Sequence, residues 1–107
     1  MKNEFGVPLD RNGYAPSIIQ SYTERCYLCG GSAEKLDRHE PFSGPFRGKS
    51  KRLGMWVKLC HHRCHLGAAH KEPGTAHELK RIAQGCAMQE YGWTEQEFII
   101  QFGKSWL

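Results

Sequence analysis

No stretch of the 107-residue sequence approaches the roughly 20 consecutive apolar residues that a membrane-spanning helix needs, so nothing in it is expected to cross a bilayer. Internal repeats and low-complexity tracts are also absent, which sets aside solenoids and disordered polymers. There is no glycine-rich nucleotide cradle, no Ser-His-Asp order and no nucleophile elbow, so the common phosphate-cradling and acyl-transfer chemistries have no foothold. The first eight residues, Met1 to Pro8, are broken by charge and proline where a secretory peptide has a continuous apolar centre. A cytoplasmic protein is expected. Acidic residues are scarcest where basic ones gather, since Arg38 through Arg63 holds seven Lys/Arg against Glu40 alone.

What is present fits one soluble domain, because a single hydrophobic core typically organises roughly 100–150 residues. The apolar fraction of 39%, the charged fraction of 24% and the 12 Gly with 5 Pro describe a loop-rich globular chain. A formal charge of +4 leans towards an anionic partner. Residues 1–24, with Gly6, Pro8, Asn12-Gly13 and Pro16, read as an irregular arm. Residues 25–74 hold the Cys- and His-bearing core, with short strands over Lys35–His39 and Met55–Leu59 and a structureless loop over Glu40–Gly54 between them. Residues 75–107 read as helical. Thr75 to Glu78 fits a capping box, Leu79, Ile82, Ala83 and Cys86 fall on one face, and Thr94 to Glu97 repeats the start signal before Gly103 stops the second helix.

Cys26 and Cys29 form a C-x2-C knuckle, and Cys60 and Cys64 form a C-x3-C pair about thirty residues later. Paired near neighbours on tight turns each supply two corners of the tetrahedron that Zn²⁺ prefers, so a structural zinc is expected. An odd total of five Cys in a reducing compartment favours ligands over disulfides. The three-residue spacer leaves His61, His62 or His65 open as a replacement fourth ligand, and Cys86 is assigned to the core. Redox or metal sensing by the same cysteines is disfavoured by the wide separation of the knuckles. A second constellation lies beside the first, because His39 ends one strand while His65 and His70 follow Cys64 at a helical spacing that can face one metal.

Together, Cys26-x2-Cys29, Asp37-Arg38-His39-Glu40, Val57-Lys58-Leu59-Cys60 and Cys64-His65 resemble the zinc-knuckle HNH (His-Me finger, ββα-metal) endonucleases, with small phage-encoded members the nearest in pattern. The resemblance spans roughly Cys26 to His77. It implies an α+β fold, a zinc-stapled β-hairpin plus helix with C-terminal helices. It also implies metal-dependent hydrolysis of DNA in a bacterial host cell, from a phage or prophage. In this frame Cys26, Cys29, Cys60 and Cys64 hold structural Zn²⁺, while His39, His65 and His70 hold Mg²⁺ or another divalent ion. His39, Glu40 and His65 are the catalytic candidates. Glu40 stands where the family usually carries its general-base His, so a register with His39 as base and Asp37 as ligand stays open. The family's middle Asn is missing, Asn3 and Asn12 both lying outside the motif, so Arg47 or Ser50 has to tie down the loop.

DNA is the expected partner. Arg47, Lys49, Lys51, Arg52 and Lys58 are the candidate backbone contacts, with Phe42 and Phe46 able to stack on bases or to turn into the core. No small-molecule cofactor is expected, and the oligomeric state is left open. The alternative is a non-catalytic zinc module that binds nucleic acid or a protein partner.

Overall fold

The computed structural model describes residues 1–32 and 34–107. Two short strands, β1 (Leu36–His39) and β2 (Val57–Cys60), pair antiparallel with Leu36 opposite Cys60 and His39 opposite Val57. Side chains alternate across a strand, so Asp37 and His39 share one face with Leu59 and Val57, while Arg38 and Lys58 share the other. That alternation decides which residues can meet at a site.

The connection between the strands is not structureless. It holds a tight 3₁₀ turn (Gly44–Phe46) that runs into the helix α1 (Arg47–Arg52). Pro45 suits the first turn of a helix, and the cations Lys49, Lys51 and Arg52 near its end complement the helix dipole. The basic run Arg47–Arg52 has no apolar periodicity, which hides the helix from pattern reading. Ser50 is fully buried and its Oγ donates to the Phe42 carbonyl at 2.6 Å, tying the connection across itself.

After β2 the chain winds as a π-helical segment (His61–Ala69), then as α2 (Pro73–Tyr91) and α3 (Glu95–Phe102). The capping box expected at Thr75 does not form. Pro73, with its fixed φ and no N–H, starts α2 three residues earlier, with Glu72 rather than Thr75 as the cap position; Thr75 Oγ1 donates to Glu72 Oε1 at 3.0 Å and Glu78 pairs with Arg81. At α3 the capping box is complete, the Glu97 N–H donating to Thr94 Oγ1 at 3.1 Å and the Thr94 N–H to Glu97 Oε1 at 3.0 Å. Among the described residues no helix is long and apolar enough to cross a membrane.

Two buried clusters share α2 as a beam. Its Leu79 packs with Val57, Leu59, Ala69 and the cysteines, while Ala83 and Ala87, one and two turns on, pack with Phe42, Leu53, Met55, Phe98 and Phe102. β2 thus rests at one end on the cysteine cluster, with Met55 just before it in the aromatic one. The arm, residues 1–24, has no regular elements but is pinned by polar side chains. Asn3 Nδ2 donates to the Arg52 carbonyl at 2.7 Å, Ser17 Oγ to the Trp56 carbonyl at 2.6 Å, and Gln20 Oε1 accepts from the Lys58 N–H at 2.8 Å.

The arm crosses the strand connection most closely at Gly54, which adopts φ +74° and whose added Cβ would meet the Pro16 carbonyl oxygen at 2.2 Å. Gly54→Ala is expected to lower the unfolding free energy by about 2–4 kcal/mol, strain and overpacking combined, read as a lower urea midpoint. An unchanged midpoint would show that the arm is not seated against this turn.

Candidate metal centre

The four cysteines converge from two directions. Cys26 and Cys29 sit on a turn closed by Gly30 at φ +74°, with the Gly30 N–H donating to the Cys26 carbonyl at 2.8 Å and the Cys26 N–H to the Gly31 carbonyl at 2.9 Å. Cys60 ends β2, and Cys64 lies one wide turn into the π-helical segment. All four sulfurs lie within 4.8 Å of one another. Four sulfurs about 2.3 Å from a tetrahedrally held zinc are about 3.8 Å apart, and Cys29 Sγ is 3.9 Å from Cys60 Sγ. The cluster can therefore hold a metal such as zinc.

Its surroundings favour a thiolate at Cys29 and oppose one at Cys64. The Gly31 N–H, the Cys26 thiol and the Arg63 guanidinium, 3.3 Å away, bring Cys29 down to about 6, whereas burial pushes Cys64 up. Buried Cys26, Cys60 and Cys64 form the inner side of the cluster, and Cys29 faces outward. Cys86 stands apart from them, half-buried on α2, where burial pushes its thiol up.

The histidines form a second cluster. His39, His65 and His70 offer ring nitrogens within 4.8 Å of one another, with ring centroids 5.2 Å apart for His39 and His65, 5.7 Å for His39 and His70, and 4.8 Å for His65 and His70. The backbone explains the last pair. In an α-helix residues five apart diverge by about 140°, whereas the i→i+5 bonding of a π-helix stacks them on one side. The winding over His61–Ala69 is thus what faces His70 towards His65.

Asp37 anchors this cluster. Its Oδ2 takes His65 Nδ1 at 2.8 Å and His61 Nδ1 at 2.5 Å, so His65 can offer only Nε2 to an ion. Burial, the largest single influence, raises the Asp37 carboxyl, but the hydrogen bonds and charge of His65 and His61 outweigh it and leave it below its usual value. His39 is brought down to about 4, chiefly by burial and then by His65, His70 and Lys80, and is a neutral imidazole at neutral pH. Asp37, His61 and His65 also lie close enough to form a group of three donors, but there Asp37 already uses one oxygen to hold both rings.

Glu40 does not face this cluster alone. Its side chain is 6% exposed, Oε1 accepting from Arg47 Nε at 2.7 Å and Oε2 from the Tyr14 hydroxyl at 3.2 Å. Arg38, His39, Glu40, Ser43, Arg47, His65 and His70 line one open cleft of about 260 Å³.

The five basic candidates do not form one patch. Arg47 lies at the cleft, Lys49 Nζ donates to the Gln101 carbonyl at 2.8 Å, and Lys51 Nζ sits 4.8 Å over the Tyr14 ring. Arg52 pairs with Glu4 at 3.5 Å, and Lys58 is on the sheet face away from His39. Phe42 is buried and Phe46 is half-buried in the aromatic core.

Sequence reading passed over the anchoring of His65 by Asp37 and the holding of Glu40 by Tyr14. Asp37 carries a signal, since it alternates onto the His39 face two residues away. Tyr14 carries none, because only the folded arm brings it there. Comparison of the chain with family models, with curated proteins and with solved structures finds no match.

Proposed function

We propose that the chain is a metal-dependent endonuclease of the HNH type acting on DNA. In this reading Cys26, Cys29, Cys60 and Cys64 hold a structural zinc, and His39, His65 and His70 hold a divalent ion. The observation that carries it is the convergence of three imidazoles from β1 and the π-helical segment on an open cleft beside a four-cysteine cluster. The donor set fits an ion, because His39 is neutral at physiological pH and Asp37 fixes the ring of His65 with its Nε2 inward.

A divalent ion bound there supplies polarisation of a phosphate oxygen and stabilisation of the leaving alkoxide. The chain's own residues do the rest. Asp37 orients His65. Glu40 holds Arg47 by its Nε at the edge of the cleft, where the 58% exposed guanidinium can donate to a phosphate. Water activation falls to Glu40 or to an imidazole of the cluster; both Glu40 oxygens are already engaged, one by Arg47 and one by Tyr14, which favours the imidazole.

Asp37→Asn is expected to weaken binding of Mn²⁺ at the histidines by about 10–100-fold in calorimetry while leaving the zinc content unchanged. Equal affinity would show that His65 needs no anchor.

The second reading, a non-catalytic zinc module that binds nucleic acid or protein, is favoured by the engagement of Glu40 with Arg47 and Tyr14. Nicking of supercoiled plasmid with Mg²⁺ or Mn²⁺ separates the two. Divalent-dependent nicking supports the nuclease; DNA retention without cutting under any divalent ion supports the module.

A further inference from the structure

A second cleft, of about 370 Å³, opens on the other side of the Pro41–Ser43 turn and is lined by Phe42, Phe46, Phe102 and Trp106 with Lys80 and Lys104. Ser43 lines both clefts, so the chain leaving His39 and Glu40 passes directly from one into the other. We propose that this aromatic cleft takes an unpaired base of a single DNA strand whose backbone crosses the histidine cleft. The proposal rests on the nuclease reading for the identity of its partner.

Three observations point to an anionic chain bearing flat apolar groups. First, the cleft is of a size that takes a small planar ligand, and half-buried Phe46 and Trp106 give it aromatic surface of the kind on which unpaired bases stack, over a floor of buried Phe42 and Phe102. Second, its charge is of one sign: Lys80 Nζ and Lys104 Nζ each sit 4.3 Å from the Trp106 ring, and the described lining residues include no carboxylate. A base arriving on Trp106 displaces an ammonium from the ring towards the flanking phosphate, so both groups keep a partner.

Third, Trp106 is held in place. Buried Gln84 accepts from the Trp106 main-chain N–H at 2.7 Å and donates to Ser105 Oγ at 3.0 Å, fixing the backbone of Ser105 and Trp106 against α2. The ring itself rests edge-on against His77, centroids 5.3 Å apart, and a pre-positioned ring loses little freedom on binding. Duplex DNA keeps its bases stacked inside and cannot fill the cleft without extruding one, so the geometry selects unpaired or frayed strands.

The test uses the full zinc-loaded chain without added divalent ion, so binding is read apart from cutting. The probe is a single-stranded oligonucleotide carrying 2-aminopurine, whose fluorescence falls on stacking, with the matching duplex as competitor. Quenching by the wild type, with the single strand preferred over the duplex, is expected. Trp106→Ala should weaken binding about 5- to 150-fold. Lys104→Glu, an exposed change that leaves the core intact, should weaken it and flatten its salt dependence.

Equal binding of duplex and single strand, or wild-type affinity in both variants, would overturn the proposal. So would a cleft closed by a second copy of the chain, seen as a dimer in sedimentation that Lys104→Glu dissociates. A wild type that nicks plasmid while both variants bind normally defeats the base pocket alone. One that binds single strands through Trp106 but cuts nothing defeats the nuclease reading alone.

Discussion

Cys64→Ser is expected to abolish cooperative folding, seen as loss of the thermal transition in circular dichroism together with loss of bound zinc. The reason is one of magnitude. A structural zinc contributes roughly 10–16 kcal/mol of apparent binding energy at neutral pH, comparable with or larger than the 5–15 kcal/mol net stability of an ordinary domain. The cluster is also not peripheral: Cys26, Cys60 and Cys64 are buried among Val57, Leu59, Ala69 and Leu79, so an unliganded, solvent-seeking site would open one of the two cores. Cys86→Ser, removing a thiol apart from the four, should retain both the zinc and the transition. A Cys64→Ser chain that melts like the wild type would show that packing alone holds the fold.

His65→Ala is expected to reduce metal-dependent plasmid nicking by about 10³-fold, corresponding to about 4 kcal/mol of lost transition-state stabilisation. His65 is the hinge of the site. Among the described residues it alone joins the Asp37 carboxylate to the imidazoles of His39 and His70, so its loss removes a proposed ligand and leaves the anchor with only His61. The cysteine cluster is untouched, so zinc content and melting temperature should stay close to wild type. His62→Ala, an exposed ring outside both histidine groups, should cut normally. Nicking that persists in His65→Ala would move the chemistry elsewhere.

The clustering of the candidate ligands was legible because their spacing is local. The spacing of Cys26 with Cys29 and of Cys60 with Cys64 puts each pair on one turn, and pairing of β1 with β2 brings the two turns together. The Thr94 cap and the Gly103 stop were equally local. What pattern reading missed depends on partners distant in sequence. The helix α1 carries charge rather than an apolar stripe, and Pro73 overrode the Thr75 signal by position. Glu40, readable as a free carboxylate, meets Tyr14 only because the arm folds back through Gly54. The basic run looked continuous in sequence, but strand alternation and α1 spread it over several surfaces.

The most direct test is an anomalous difference map from crystals of the zinc-loaded chain soaked in Mn²⁺, recorded at wavelengths that distinguish the two metals. A zinc peak amid Cys26, Cys29, Cys60 and Cys64 is expected, with a separate manganese peak within bonding distance of His39, His65 and His70. A manganese peak on other residues, or none with the three rings turned apart, would contradict it.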